Sequence, residues 1–221
     1  MSPHKHITLY TSPFSPNGWK VALVLEELGL KYDSVYLDLF KEEQLAPEFT
    51  KLNPNQKVPV LIDHLNDDFV LFESNAIILY LVEQYDPDYK ISARGKEKQL
   101  VSQWLFSQAS GQGPSCWQLF YFHQCSPEKD LKAQERYKDE ILRVLSVLNN
   151  VLSKQAWLVG GRMTIADISF VPWNIVAFSS LAALGVKVQD EFRSVYRWHT
   201  ALTARPAVKK VLEITATLQK P

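Results

Sequence analysis

Two short segments carry side chains whose types and spacing could hold an anion. In Ser15-Pro16-Asn17-Gly18, a hydroxyl and a carboxamide stand just ahead of Val21, Val24, Leu25 and Leu28, an i, i+3, i+4, i+7 stripe that reads as one helix face. A carboxamide there can donate to an anion while the unpaired amides of the first helical turn point the same way. In Glu73-Ser74, ahead of the stripe Ile77, Ile78, Leu81, Val82 and Tyr85, the hydroxyl and free amides suit a carboxylate and the Glu73 carboxylate suits an ammonium. Both segments have a purely structural reading as well. Asn and Ser are preferred helix caps, Pro-Asn-Gly is a turn sequence, and Glu in a first turn complements the helix dipole.

The elements that must position these groups fall into two textures. Ile7–Tyr10 is a short β-prone stretch, and Pro13 and Pro16 separate it from the first helical stripe, which Gly29 stops. Tyr32–Leu39 alternates with period two, and Val58–Ile62 and Phe69–Phe72 read as a hairpin joined by the polar residues 64–68. A βαβ crossover followed by ββα predicts a mixed four-stranded sheet with helices, the thioredoxin-like α/β arrangement, over residues 5–86. Beyond Asp86-Pro87-Asp88 the strand signal ends. The stripes Ile141, Val144, Leu145, Leu148, Val151, Leu152 and Phe192, Val195, His199, Leu202 predict an all-α domain over residues 93–217.

Within that domain Ser126-Pro127-Glu128 has the form of a serine N-cap with proline at the first helical position. Thr164-Ile165-Ala166-Asp167 resembles a capping box, which makes Asp167 a folding residue whose loss costs ~1 kcal/mol. Gly113-Pro114 interrupts a helical region, and the proline ring crowds the carbonyl of Ser110, so a kink is expected. Trp117, Phe120 and Tyr121 would then either fill the core or line a pocket.

Lys+Arg and Asp+Glu number 24 each, so the basic excess that nucleic-acid binding requires is missing. With 46% hydrophobic and 22% charged residues the chain has enough apolar mass for packed cores. The N-terminal residues lack a signal-peptide run, and the apolar runs are too short for a membrane span. Cys116 and Cys125 make no disulfide framework and no Cys-x-x-Cys, which excludes redox chemistry on a pair of protein thiols and agrees with a reducing, cytoplasmic setting. His4, His6, His64, His123 and His199 have no metal-ligand spacing, so no metal is expected.

Read together, Ser15–Val21, Ala46–Phe49, Asn53–Leu61, Phe72–Ile77, Gln108–Gly111 before Gly113-Pro114, and Thr164–Asp167 resemble the glutathione transferase superfamily. The resemblance is to its asparagine-type branches, the nu class and the class of the fungal nitrogen-catabolite regulator. It spans residues 6–205. It implies glutathione as co-substrate and a homodimer pairing the sheet domain of one subunit with the helical domain of the other. Glu73 and Ser74 would take the γ-glutamyl end. A cis peptide at Val58-Pro59 would offer the Val58 backbone to the cysteinyl residue, and Gln44 and Lys57 would meet the glycyl end.

The resemblance also places Asn17 at the glutathione sulfur, with Ser15 as a second donor. A thiol of pKa about 8.5 is only about 3% ionised at pH 7, and lowering that value by about two units requires about 2.7 kcal/mol. One hydrogen bond to a charged group supplies ~1.5–3 kcal/mol, and a helix N-terminus ~0.3–1 more. One good donor therefore suffices. Tyr10 is expected to pack in the core, and Ser12 stands where other classes carry a catalytic serine or cysteine. Phe14, Trp117, Phe120 and Tyr121 are the expected second-substrate pocket.

Transfer to carbon electrophiles and glutathione-dependent reduction of disulfides or peroxides both follow from such a site. A non-catalytic regulatory role is the third reading. The fungal regulator carries a disordered extension ahead of the fold, whereas here the first strand is expected within a few residues of Met1.

Overall fold

In a computed structural model of the chain, which describes residues 6–220, the residues gather into two units. One runs to Asp88 and takes in the residues from Pro206 onward; the other is Tyr89–Arg205.

In the first unit β1 (Ile7–Thr11), α1 (Pro16–Glu27) and β2 (Tyr32–Tyr36) form the crossover. Two short 3-10 turns, Leu39–Lys41 and Glu43–Leu45, lead to α2 (Pro47–Leu52), β3 (Val60–Asp63), β4 (Phe69–Phe72) and α3 (Ser74–Tyr85). The sheet order is β2-β1-β3-β4. β1 runs parallel to β2, with Ile7 opposite Tyr32, and antiparallel to β3, with Leu9 opposite Leu61. β3 and β4 are antiparallel. Parallel pairing needs the helical crossover that α1 supplies, whereas β3 and β4 need only the turn between them. The mixed four-stranded sheet is the one the pattern predicts. β3 begins at Val60 rather than Val58, because Pro59 has no N–H to give to a ladder. Ile7, Leu9 and Leu61 share the sheet face that forms a core with Val21, Val24 and Leu25 of α1 and Ile77, Ile78 and Leu81 of α3, all fully buried; Val60, also buried, points to the opposite face with Tyr10. Asp63, also buried, accepts from the hydroxyls of Tyr80 (2.6 Å) and Tyr85 and so ties the end of β3 to α3.

The second unit holds α4 (Lys96–Ser107), α5 (Gly113–Phe120), α6 (Leu131–Leu152), α7 (Ile165–Ala183), α8 (Val188–Glu191) and α9 (Arg193–Thr203). A π-helical turn, Gln108–Gln112, joins α4 to α5, and a second, Tyr121–Cys125, ends α5. The first lies immediately ahead of Pro114, where a missing amide and a crowded Ser110 carbonyl make regular i→i−4 bonding untenable. It carries a buried polar chain. Gln108 Nε2 donates to Gln112 Oε1 (3.3 Å), and Gln112 Nε2 donates to Asn174 Oδ1 of α7 (2.7 Å).

By length and composition α7 could cross a membrane. It is the central helix of this unit, with every residue from Ile165 to Asn174 buried. Its start is the capping box read from the sequence: Thr164 Oγ1 accepts from Ala166 N (3.2 Å), and Asp167 Oδ2 accepts from Thr164 N (2.9 Å). Asp167 does more than cap. Its Oδ1 accepts from Leu158 N and from Trp198 Nε1, both at 2.9 Å, so one buried carboxylate joins α7, the preceding loop and α9. The other expected start is corrected. Ser126 does not cap; its hydroxyl donates to Glu128 O (2.6 Å), and α6 starts later, with Asp130 Oδ1 accepting from Ala133 N (2.9 Å). A carboxylate at the N-cap outcompetes a serine because it also answers the helix dipole.

The last helix, α10 (Pro206–Leu218), lies in the first unit, although the sequence reading carried the helical domain on to residue 217. Val208, Val211 and Thr215 form its buried face toward α1, and Lys210 Nζ meets Glu26 Oε2 at 2.8 Å. A helical pattern along the chain holds no information about which unit a helix packs on.

Asp167→Ala is expected to lower unfolding free energy by roughly 3–5 kcal/mol, well above the loss of a simple cap, because four buried donors, the Thr164 hydroxyl among them, lose their acceptor together. Urea denaturation monitored by tryptophan fluorescence would measure it.

Candidate functional site

The loop after β1 brings the first turn of α1 hard against the strand. A Cβ on Gly18 would sit 1.9 Å from Thr11 Oγ1, so only glycine allows this approach. Ser15 is the N-cap of α1, its Oγ accepting from Gly18 N at 3.3 Å, and Pro16 occupies the first helical position. Asn17 is therefore the second residue of the helix, not its cap. The sequence left both roles open for Asn17, and the structure gives the cap to Ser15. Pro13 O accepts from Trp19 Nε1 (2.9 Å) and from Gln219 Nε2 (2.7 Å), so α10 helps to pin this loop.

α3 opens beside α1. Ser74 is its first residue and is buried, while Glu73 ahead of it is exposed, with φ 69° and ψ 109°. A non-glycine residue there costs of order 1–3 kcal/mol and persists where surrounding contacts demand it. The turn it makes starts α3 at Ser74, so that Glu73 presents its carboxylate at the same end as the helix amides.

Between α1 and α3 lies a residue to which the sequence reading gave no role. Lys20 is 1% exposed, and its Nζ donates to Asn75 Oδ1 (2.8 Å), Ser74 Oγ (3.0 Å) and Asn17 Oδ1 (3.4 Å). Burial depresses its pKa from 10.5 to about 7, against the opposing pull of Glu73. The available signal was its place one helical turn after Asn17, on the face that the apolar stripe shares.

The Val58-Pro59 peptide is cis. Val58 is half-buried and stands ahead of the ladder of β3. The approach to it is built by Asn53, buried and also without a role in the sequence reading. Its Nδ2 donates to Lys57 O (2.7 Å), and its Oδ1 accepts from Asn55 N (2.9 Å). The Lys57 side chain is exposed. Gln44 lies in the second 3-10 turn with its Oε1 buried and unbonded.

The two other candidates lie in β1 and just after it. Tyr10 packs on Phe49, ring centroids 5.9 Å apart. Ser12 is 1% exposed and lines a cavity of about 20 Å³ with Thr11, Gly18 and Thr215 of α10. Phe14 is half exposed and meets Phe40 edge-on at 5.4 Å in the first unit. In the second unit, Trp117, Phe120 and Tyr121 share one face of α5 and its end; Trp117 stacks on Phe120 at 5.8 Å and stays half exposed. Tyr121 is exposed as well, and Phe120 is half-buried.

Cys116 is buried in α5, which raises its thiol pKa far above the ordinary value, and Cys125 is exposed. His199 is buried and its pKa lowered to about 4 by that burial. His4 lies outside the described residues. Among the described residues no three His, Cys, Asp or Glu side chains gather as metal ligands would.

A thioredoxin-like unit carrying a cis-proline, an acidic residue and serine at the start of α3, and a helical second unit define the glutathione transferase fold. The family models for the glutathione S-transferase N-terminal and C-terminal domains match residues 5–83 and 109–206. Glutathione S-transferase 2 of Schizosaccharomyces pombe is 41% identical, over 94% of this chain and 95% of its own length. This chain belongs to the glutathione S-transferase family. The crystal structure of glutathione transferase URE2P8 from Phanerochaete chrysosporium with oxidized glutathione is 45% identical, with TM-score 0.95 over 99% of this chain and 98% of that one. That of Ure2p5 from the same fungus, cocrystallized with 1-(S-glutathionyl)-2,4-dinitrobenzene, is 47% identical, with TM-score 0.90 over 98% and 97%.

Between pH about 7 and 10.5 the folded chain has released the Lys20 proton and the unfolded chain has not. The unfolded state binds more protons in that window, so Lys20 makes the ligand-free protein more stable as pH rises through it. Urea midpoints measured from pH 7 to about 8.5, below the titration of the tyrosines and Cys116, should rise more in the wild type than in Lys20→Met.

Proposed function

We propose that this protein binds reduced glutathione on its N-terminal unit, stabilises the thiolate with Asn17, and uses it both in transfer to carbon electrophiles and in reduction of disulfides or peroxides. Glu73 takes the ammonium of the γ-glutamyl group, and Ser74 with the amides of α3 takes its carboxylate. The Val58 backbone pairs with the cysteinyl residue, and Lys57 with Gln44 reaches the glycyl carboxylate. Asn17 donates its NH2 to sulfur at the positive end of α1. Ser15, whose oxygen already accepts the capping bond, can turn its hydroxyl hydrogen to the same atom. The observation that carries this reading is the assignment of the cap to Ser15, which puts Asn17 inside the first turn beside the start of α3.

In transfer, the thiolate attacks an electrophilic carbon and expels its leaving group; Phe14 on the first unit and Trp117, Phe120 and Tyr121 on the second are the apolar groups offered to a co-substrate. The dinitrobenzene conjugate carried by one structural relative is a product of that kind. In reduction, the thiolate attacks one sulfur of a disulfide and expels the other as a thiolate; a second glutathione then attacks the mixed disulfide and leaves as oxidized glutathione. The oxidized glutathione in the other relative is the product of that route. No protein cysteine is needed for either, which agrees with Cys116 being buried. A cytoplasmic, glutathione-rich setting fits the same chemistry.

Asn17→Ala is expected to lower kcat/KM for glutathione-dependent reduction of a small disulfide and for conjugation of a chlorodinitrobenzene by about 10- to 100-fold, the loss of one hydrogen bond to a charged sulfur. Wild-type kinetics in the mutant would remove Asn17 from the sulfur. Wild-type turnover in one assay alone would strike out the other activity.

We further propose a homodimer. Light scattering on the purified protein should return twice the chain mass of 25.3 kDa, and a monomeric value would refute it.

A further inference from the structure

We infer that Lys20 is a positioning residue for thiol activation: its ammonium holds the oxygens of Asn17 and Ser74, and so turns the Asn17 NH2 and the Ser74 hydroxyl hydrogen toward glutathione. The inference rests on the roles given above to Asn17 and Ser74 and adds the group that orients them.

An ammonium has three N–H donors and no acceptor. Whatever atom of an amide faces it must therefore be the oxygen. With Asn17 Oδ1 at 3.4 Å and Asn75 Oδ1 at 2.8 Å from Nζ, the orientation of both amides follows from donor chemistry alone. The NH2 of Asn17 then points away from Lys20. Ser74 Oγ, at 3.0 Å, accepts from the same nitrogen, so its own hydrogen is directed elsewhere. The three acceptors come from the first turns of two helices, α1 and α3, whose N-termini form the proposed sites for thiolate and γ-glutamyl carboxylate. A neutral amine could accept from an amide NH2 instead, and its constraint on the Asn17 amide would be lost.

Glu73, at the start of α3, acts on Lys20 and favours its charged form. On the packed helices Glu83 of α3 is exposed, as are Lys209, Lys210 and Glu213 of α10; Glu26 of α1 pairs with Lys210, and Glu27 at the far end of α1 is half-buried. β1 carries no charged residue. A ligand that brings anionic sulfur and carboxylate to the helix N-termini favours the protonated Lys20, and by reciprocity the protonated Lys20 favours thiolate.

The test is an ultraviolet thiolate titration of bound glutathione in the wild type, Lys20→Met, Asn17→Ala and the double variant, with glutathione affinity measured alongside. The wild-type curve tests the parent reading by itself: a thiol pKa equal to that of free glutathione ends that reading before Lys20 is considered. Given a depressed wild-type value, Lys20→Met should hold about tenfold less thiolate at neutral pH, a rise of about one pKa unit. The double variant should match Asn17→Ala alone, because Lys20 works through that amide. A wild-type thiol pKa in folded Lys20→Met would overturn the inference. So would a Lys20 effect that persists undiminished without Asn17, since that would make Lys20 a direct counter-charge. Should Lys20→Met fail to fold, Lys20→Arg and Lys20→Gln give the same contrast. Arginine keeps the charge and should keep the depressed pKa, glutamine should raise it, and equal values would overturn the assignment.

Discussion

An ammonium enclosed between two helices must find an acceptor for each of its three N–H bonds, and Lys20 finds them on Asn17, Ser74 and Asn75. Burial pulls against keeping that charge, lowering the pKa to about 7. The arrangement is thus poised: the polar contacts that join α1 to α3 depend on a proton held near neutrality. An apolar residue in its place would remove the desolvation penalty, but it would take the ammonium donor away from Asn17, Ser74 and Asn75 together. A lysine at so closed a position is more easily understood as orienting polar groups than as contributing to stability.

That junction depends in turn on how near α1 comes to the sheet. Gly18 permits contact with Thr11, Ser15 caps the helix, and Pro13 is held from two sides by Trp19 and Gln219. Because α10 supplies one of those holds, the last helix in the sequence belongs structurally to the first unit. The start of α3 is set with similar economy: an exposed Glu73 at positive φ turns the chain so that Ser74 opens the helix.

The helical unit shows a second use of a buried charge. Among the described residues Asp167 pairs with no cation, and it is satisfied by donors from Leu158 and Thr164 ahead of α7 and from Trp198 of α9. Pro114, which the sequence marked as a disturbance, follows a π-helical turn that relieves it, and that turn carries the Gln108, Gln112 and Asn174 chain.

Periodicity and punctuation were enough to read four strands, their mixed pairing, a helical second half and the cap at Thr164, because each depends on residues close in sequence. The order of Ser15–Val21, Asn53–Leu61 and Phe72–Ile77 further identified the family and named Asn17, Val58, Glu73 and Ser74. Tertiary structure alone decided that Ser15 and not Asn17 caps α1, that Asp130 and not Ser126 starts α6, and that α10 joins the first unit. It also brought Lys20 and Asn53 into the site. Cap choice is a competition between neighbours, and helix docking and the burial of a lysine depend on residues more than fifty positions apart. A one-dimensional pattern records which faces are apolar and not which partners meet them.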